Sequence, residues 1–213
     1  MKLDNKKVIL VGFAFLLIQA FWIAYDAIVP LMLVNKFGMN QTWSGVIMAL
    51  DNLFALFLLP LFGALSDKTN TKFGRRTPYI FIGTICAVLV FIFLPLIDTL
   101  WLFILALLLV LLSMSIFRSP AVALMPDVTC KPYRSKANAV INLMGTAGGM
   151  IVLVFGTIFK TSEEHKTDFF PYILATAGLM LLGLIVFLLT VREKKWAEKR
   201  PFSSALRCCL PRF

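Results

Sequence analysis

Six apolar blocks, each about the length of a membrane crossing, constrain this chain more than any other feature. They run over residues 8–34, 43–65, 78–96, 100–124, 137–159 and 169–191. A helix rises about 1.5 Å per residue, so roughly 20 apolar residues cross a hydrocarbon core of roughly 30 Å. The chain is 60% hydrophobic with a mean hydropathy of +0.87, well above the apolar share of a soluble domain. A lipid-exposed backbone must satisfy its own hydrogen bonds, which leaves helices or closed barrels. A barrel would alternate apolar and polar residues in segments of about ten, and these blocks are continuous. The expected fold is all-α and integral to a membrane, with six transmembrane helices in residues 1–196 and a tail or linker in 197–213.

The formal charge of +10 is unevenly placed. Lys2, Lys6 and Lys7, then Lys68, Lys72, Arg75 and Arg76, then Lys131, Arg134 and Lys136, then the bases from Arg192 onward, all fall on one side of alternating spans. The other side holds Lys36, Lys160 and Lys166 beside Asp98, Glu163, Glu164 and Asp168. The positive-inside rule then puts both termini in the cytoplasm, in a plasma or inner membrane. Bases confined to juxtamembrane turns serve anchoring and anionic lipid, so a nucleic-acid partner is excluded. The first block is too long for the apolar core of a signal peptide and reads as a retained span. Cys86, Cys130, Cys208 and Cys209 show no disulfide spacing; the tail pair could carry a lipid.

Ionisable side chains within a span are costly and mark function by default. Three stand out: Asp26, Asp51 and Arg118. Asp26 lies eight residues before the outer end of span one and Asp51 eight residues after the start of span two. In antiparallel helices both sit roughly 12 Å deep and could face one cavity. They fit a proton or cation site, or hydroxyl recognition; the alternative is that each caps a broken helix or bonds a neighbour such as Tyr25 or Asn52. Pro30 removes the hydrogen bond to the Asp26 carbonyl and is expected to kink span one there, and Pro60 does the same near the inner end of span two; discontinuous helices at a binding site are a recurring transporter device. Arg118 either binds a solute hydroxyl or carboxylate or snorkels to the inner surface. Asn138 and Asn142 share a face of span five, and Asn142 could reach a pore. Gly145 and Gly149 form a small-xxx-small pair suited to helix packing. His165, in an outer loop, reads as solvated. Tyr25, next to Asp26, is placed on the same pathway.

The turn between spans two and three adds a motif. Gly63-x-x-x-Asp67-Lys68 followed by Gly74-Arg75-Arg76 resembles that of the major facilitator superfamily in the same position. The fuller string Ser-Asp-Lys-Thr-Asn-Thr-Lys-Phe-Gly-Arg-Arg-Thr-Pro-Tyr-Ile is similar to the sucrose and proton symporters of the solute carrier 45 type. A second stretch agrees: Ser119-Pro120-Ala121-Val122-Ala123-Leu124-Met125-Pro126-Asp127, then Arg134-Ser135-Lys136-Ala137-Asn138-Ala139. That family and the wider glycoside-pentoside-hexuronide cation symporters carry Gly-Pro-x-Arg-Ala-Leu-x-x-Asp and Ala-Asn-Ala there. This chain departs from the pattern with Val122 at the arginine position; Arg118 stands one turn earlier. The resemblance implies that Gly63 lets helices approach, that Asp67 pairs with bases, and that the arginine pair locks an inner gate. It also implies a cytoplasmic charge cluster of Asp67, Arg75, Arg76 and Asp127, with Lys68, Gly74 and Arg134 in the same gating region.

By the same resemblance, the six spans correspond to the amino-terminal half of a twelve-span transporter, built as two inverted three-helix repeats. The implied function is cation-coupled uptake of a sugar or glycoside by alternating access, the ion being a proton, with sodium as the alternative. No cofactor and no metal are expected, and the partners are the solute, the bilayer, and a second half or a second copy. The competing reading is a truncated remnant or a regulatory half that does not transport. Without a nucleophile elbow, metal-ligand cluster or phosphate-binding loop, and with one histidine, an enzyme is not expected.

Overall fold

A computed structural model describes residues 5–69, 71, 74–129, 133–160 and 169–190, with the side chains of residues 5–7, 51, 128 and 160 outside the description. Six helices account for nearly all of it: α1 (Asn5–Asn35), α2 (Gln41–Lys68), α3 (Thr77–Phe93), α4 (Leu100–Val128), α5 (Arg134–Lys160) and α6 (Phe170–Thr190). All six are long and apolar enough to cross a membrane. The chain is a multi-pass membrane protein. The end of the bundle carrying the α2–α3 turn is here called inner, and the opposite end outer. The tail, His165, Cys130, Cys208 and Cys209 lie outside the described residues.

Local chemistry sets the helix boundaries. Gly38 has φ +63°, a left-handed conformation that glycine adopts without a Cβ penalty. It ends α1 there, and the next N–H, of Met39, donates back to the Leu33 carbonyl at 3.1 Å. Pro78 occupies the first turn of α3, where its missing N–H costs nothing. Leu94–Leu96 tightens into a 3-10 turn after α3. α1 and α2 are each one continuous helix through Pro30 and Pro60, as α4 is through Pro120 and Pro126. Neighbouring helices and hydroxyl side chains can compensate the lost bond without breaking a helix in a membrane.

The core is built around α1, whose Leu17, Phe21, Tyr25, Ile28 and Met32 are fully buried together with Phe91, Phe103, Phe117 and Phe187. The most extensive pairings are α1 with α5, α3 with α4, α1 with α6, and α2 with α4. Exchange of the first three helices for the second three (α1 for α4, α2 for α5, α3 for α6) maps α1–α5 onto α4–α2 and α1–α6 onto α4–α3. Since α4 runs opposite to α1, this is the pairing of two inverted three-helix repeats, the architecture of half a major facilitator fold. Glycines make the closest approaches. A Cβ at Gly145 would meet Gln19, one at Gly148 would lie 2.8 Å from the Leu16 carbonyl, and one at Gly149 would collide with Ile23. The α1–α5 contact is therefore nearly backbone to side chain over about one turn of α5.

Candidate functional site

Asp26 lines a cleft of about 350 Å³ between α1 and α2, together with Trp22, Gly45, Met48, Ala49 and Asn52. Trp22 is one turn before Asp26, so both project from the same face of α1. The α2 wall has the matching helical spacing, with Gly45, Ala49 and Asn52 on one stripe. Asp26 is exposed in this cleft and has no ion-pair or hydrogen-bond partner among the described residues. A carboxylate, an amide and an indole around one open volume can bind a polyhydroxylated solute: the first two exchange hydrogen bonds with hydroxyls, and the third covers apolar C–H surface.

Arg118 lies on the other side of Trp22, its guanidinium carbon 5.0 Å from the indole centroid. It remains within the bundle as a half-buried side chain. Phe54, Ala55 and Leu59 of α2 and Leu111, Met114 and Ser115 of α4 enclose, with Trp22 and Arg118, a void of about 10 Å³. Trp22 is thus a wall common to the acid-bearing cleft and the base-bearing void. A guanidinium held on an indole face gains electrostatically from the ring quadrupole and keeps its N–H groups available at its edge. Val122, at the position of the motif arginine, is 47% exposed on α4.

Tyr25, expected on this pathway, is instead fully buried behind it, its ring 6.0 Å from Trp22 and 6.2 Å from Phe21. One residue turns α1 by about 100°, which carries Tyr25 into the core while Asp26 faces the cleft. The Asp51 side chain lies outside the description, so its facing toward Asp26 stays an expectation. Asn142 is exposed on α5, as is Asn138, and neither lines the cleft. Gln19, one turn before Trp22 and Ile23, went unmarked in the sequence; it is the side chain that Gly145 accommodates.

The inner end holds the charge cluster. Arg76, with a side chain only 7% exposed, donates from Nε to Asp127 at 2.5 Å and from Nη2 to Asp67 at 2.7 Å. Nη1 reaches the Ser66 hydroxyl at 3.3 Å, and that hydroxyl donates to the Gly63 carbonyl at 2.8 Å. One planar fork thereby joins the end of α2, the start of α3 and the end of α4. Gly74 has φ +132° and exchanges backbone bonds with Thr71 at 3.2 and 3.3 Å, so this turn requires glycine. Thr69 and Tyr79 share a 2.7 Å hydroxyl contact beside it. Arg75 and Lys68 are exposed. Arg134 donates to the Pro126 carbonyl at 3.2 Å, satisfying a last-turn acceptor of α4.

A separate, unanticipated ion pair closes the outer end. Lys36, just past α1, donates to Asp98 at 2.8 Å and to the Pro95 carbonyl at 2.6 Å. Both partners lie in the α3–α4 connection. The sequence shows these charges on one side of the membrane but gives no spacing that pairs them.

Comparison with known proteins places this geometry. A segment of 52 residues is 38% identical to the sucrose transport protein SUC4 of Arabidopsis thaliana, covering 24% of this chain and 10% of that protein. The chain thus aligns with only a small part of the relative's length. The model of the MFS/sugar transport protein family matches residues 10–207, which is nearly the whole chain. The six-helix architecture, the inner arginine cluster and this match agree, and the chain belongs to the MFS/sugar transport protein family.

Proposed function

We propose that this six-helix body carries half of the solute path of a proton-coupled sugar or glycoside symporter working by alternating access, with Asp26 as the proton-exchanging or hydroxyl-binding group. The observation that carries this reading is Asp26 itself: an intramembrane carboxylate, open to a cleft of about 350 Å³, without a basic partner among the described residues. Such a group is costly unless a solute, a proton or a cation satisfies it. Arg118 and Trp22 form the inner boundary of the path. The remaining wall comes from a second six-helix unit, since Asn52, Asn138 and Asn142 are exposed on α2 and α5. The Arg76 cluster holds the inner ends of α2 and α4 together through the gating cycle. Both termini are cytoplasmic.

The test is uptake of labelled sucrose and maltose into proteoliposomes, with and without an inward proton gradient. Gradient-driven uptake that Asp26→Asn abolishes is the expected result, either with this chain alone or with a matching second half supplied. Uptake that ignores the gradient removes the coupling. Absence of uptake and of binding in both preparations favours the alternative of a non-transporting regulatory half, for which the long exposed apolar face of α2 is the supporting observation.

A further inference from the structure

Ser119 bonds across the bundle where four other helix hydroxyls bond along their own helix. Ser113 donates to the Leu109 carbonyl, Thr146 to Asn142, Thr176 to Tyr172 and Thr190 to Val186, each one turn back in its own helix. Such bonds are the default of a hydroxyl in a helix. The Ser119 hydroxyl instead donates to the Leu59 carbonyl of α2 at 2.6 Å. Two features on the facing helix permit it. Gly63, one turn on from Leu59, presents no side chain, and a Cβ there would lie 3.0 Å from the Ser119 oxygen. A carbonyl has two lone pairs, so Leu59 can accept from Ser119 as well as from its own helix.

The bond falls beside a proline in both helices. Pro60 follows Leu59 and Pro120 follows Ser119, and each proline leaves the carbonyl four residues back without its helical donor. A helix lacking one rung turns and bends more easily about that point. Arg118 directly precedes Ser119, and its guanidinium must cross toward α1 to lie on Trp22. The rotation of α4 at residue 119 sets the direction in which residue 118 leaves the helix.

We propose that Ser119 is a positioning residue for Arg118: its bond to the Leu59 carbonyl, made possible by Gly63, fixes the rotation of α4 that lays the guanidinium on Trp22. Its bearing on transport rests on the reading of Arg118 as a wall of the solute path. The positioning itself is testable without a solute. The full chain in nanodiscs is treated with phenylglyoxal, and the modification rate is read by mass spectrometry at Arg118, Arg76 and the exposed Arg75. An interhelical hydroxyl bond in a membrane is worth about 0.6 kcal/mol, up to about 1.7, or about a threefold to twentyfold shift. Ser119→Ala and Gly63→Ala should both speed modification of Arg118 by about threefold or more, with Arg76 and Arg75 unchanged and Ser119→Thr close to wild type. An unchanged Arg118 rate in Ser119→Ala overturns the proposal. So does an equal rise at Arg76, which would mean general loosening, and so does a Ser119→Thr protein as reactive as Ser119→Ala. Binding of labelled sucrose separates the two readings. If Arg118→Gln leaves sucrose binding unchanged while the modification pattern appears as expected, the solute-path reading fails and the positioning stands.

Discussion

Arg76 gathers Asp67, Asp127 and Ser66 on one planar group, and that geometry predicts what its replacement does. Asp67 and Asp127 keep 61% and 48% of their side-chain exposure, so neither would be left as a buried unpaired charge. Arg76→Gln should therefore lower stability by about 1–3 kcal/mol, less than the loss of a fully buried pair, read as a lower unfolding midpoint in detergent. Arg76→Lys should recover only part of it, because an ammonium is a point donor and cannot span Nε, Nη1 and Nη2 positions. At the outer end Asp98 is 88% exposed, and Asp98→Asn should cost less than about 1 kcal/mol. The cluster residues were legible in the sequence because motif spacing singles out charges near a turn. Ser66 and Trp22 were not: a serine in an apolar helix and an indole one turn from an acid look like packing until the three-dimensional neighbours are known. Tyr25 shows the converse error, since adjacency in sequence turns a helical side chain about 100° away from its neighbour.

The helices themselves were readable from hydropathy alone, to within a few residues of their ends. They extend beyond their apolar blocks because the flanking polar residues still form backbone rungs; α4 runs on to Val128 past an expected end at 124. What hydropathy could not supply is which glycine touches what. Gly83 and Gly178 look alike in sequence, each within an apolar span. A Cβ at Gly83 would sit 2.8 Å from the Phe117 backbone nitrogen and 3.0 Å from the Ser113 carbonyl, whereas one at Gly178 meets nothing within 4 Å. Gly83→Ala should thus pry α3 from α4 and cost about 1–3 kcal/mol, while Gly178→Ala should be neutral or slightly stabilising through helix propensity. Thermal unfolding of the two variants side by side checks the contrast; equal midpoints would refute it. Prolines show a related limit: the missing rung is visible in sequence, the neighbours that compensate for it are not.

For the whole molecule, the charge distribution predicts an orientation that can be measured directly. Cysteine in place of Lys68, exposed at the inner end, should resist an impermeant thiol reagent in sealed right-side-out vesicles, while cysteine in place of Trp101, 81% exposed at the outer end, should react; reversed labelling would invert the topology. The repeat relation that equates α1–α5 with α4–α2 also exposes a mechanical difference. The first of these equivalent seams is stitched by Gly12, Gly145, Gly148 and Gly149 with side chains seated against them, and it is the more extensive. The second has Gly63 at its inner end, and its α2 is parted from α1 by the cleft nearer the outer end. A body made of matched triplets is therefore unequally compliant, stiff along one diagonal and yielding along the other. Any force applied to the bundle should be taken up first as displacement of the outer part of α2, while α1 and α5 travel as one piece.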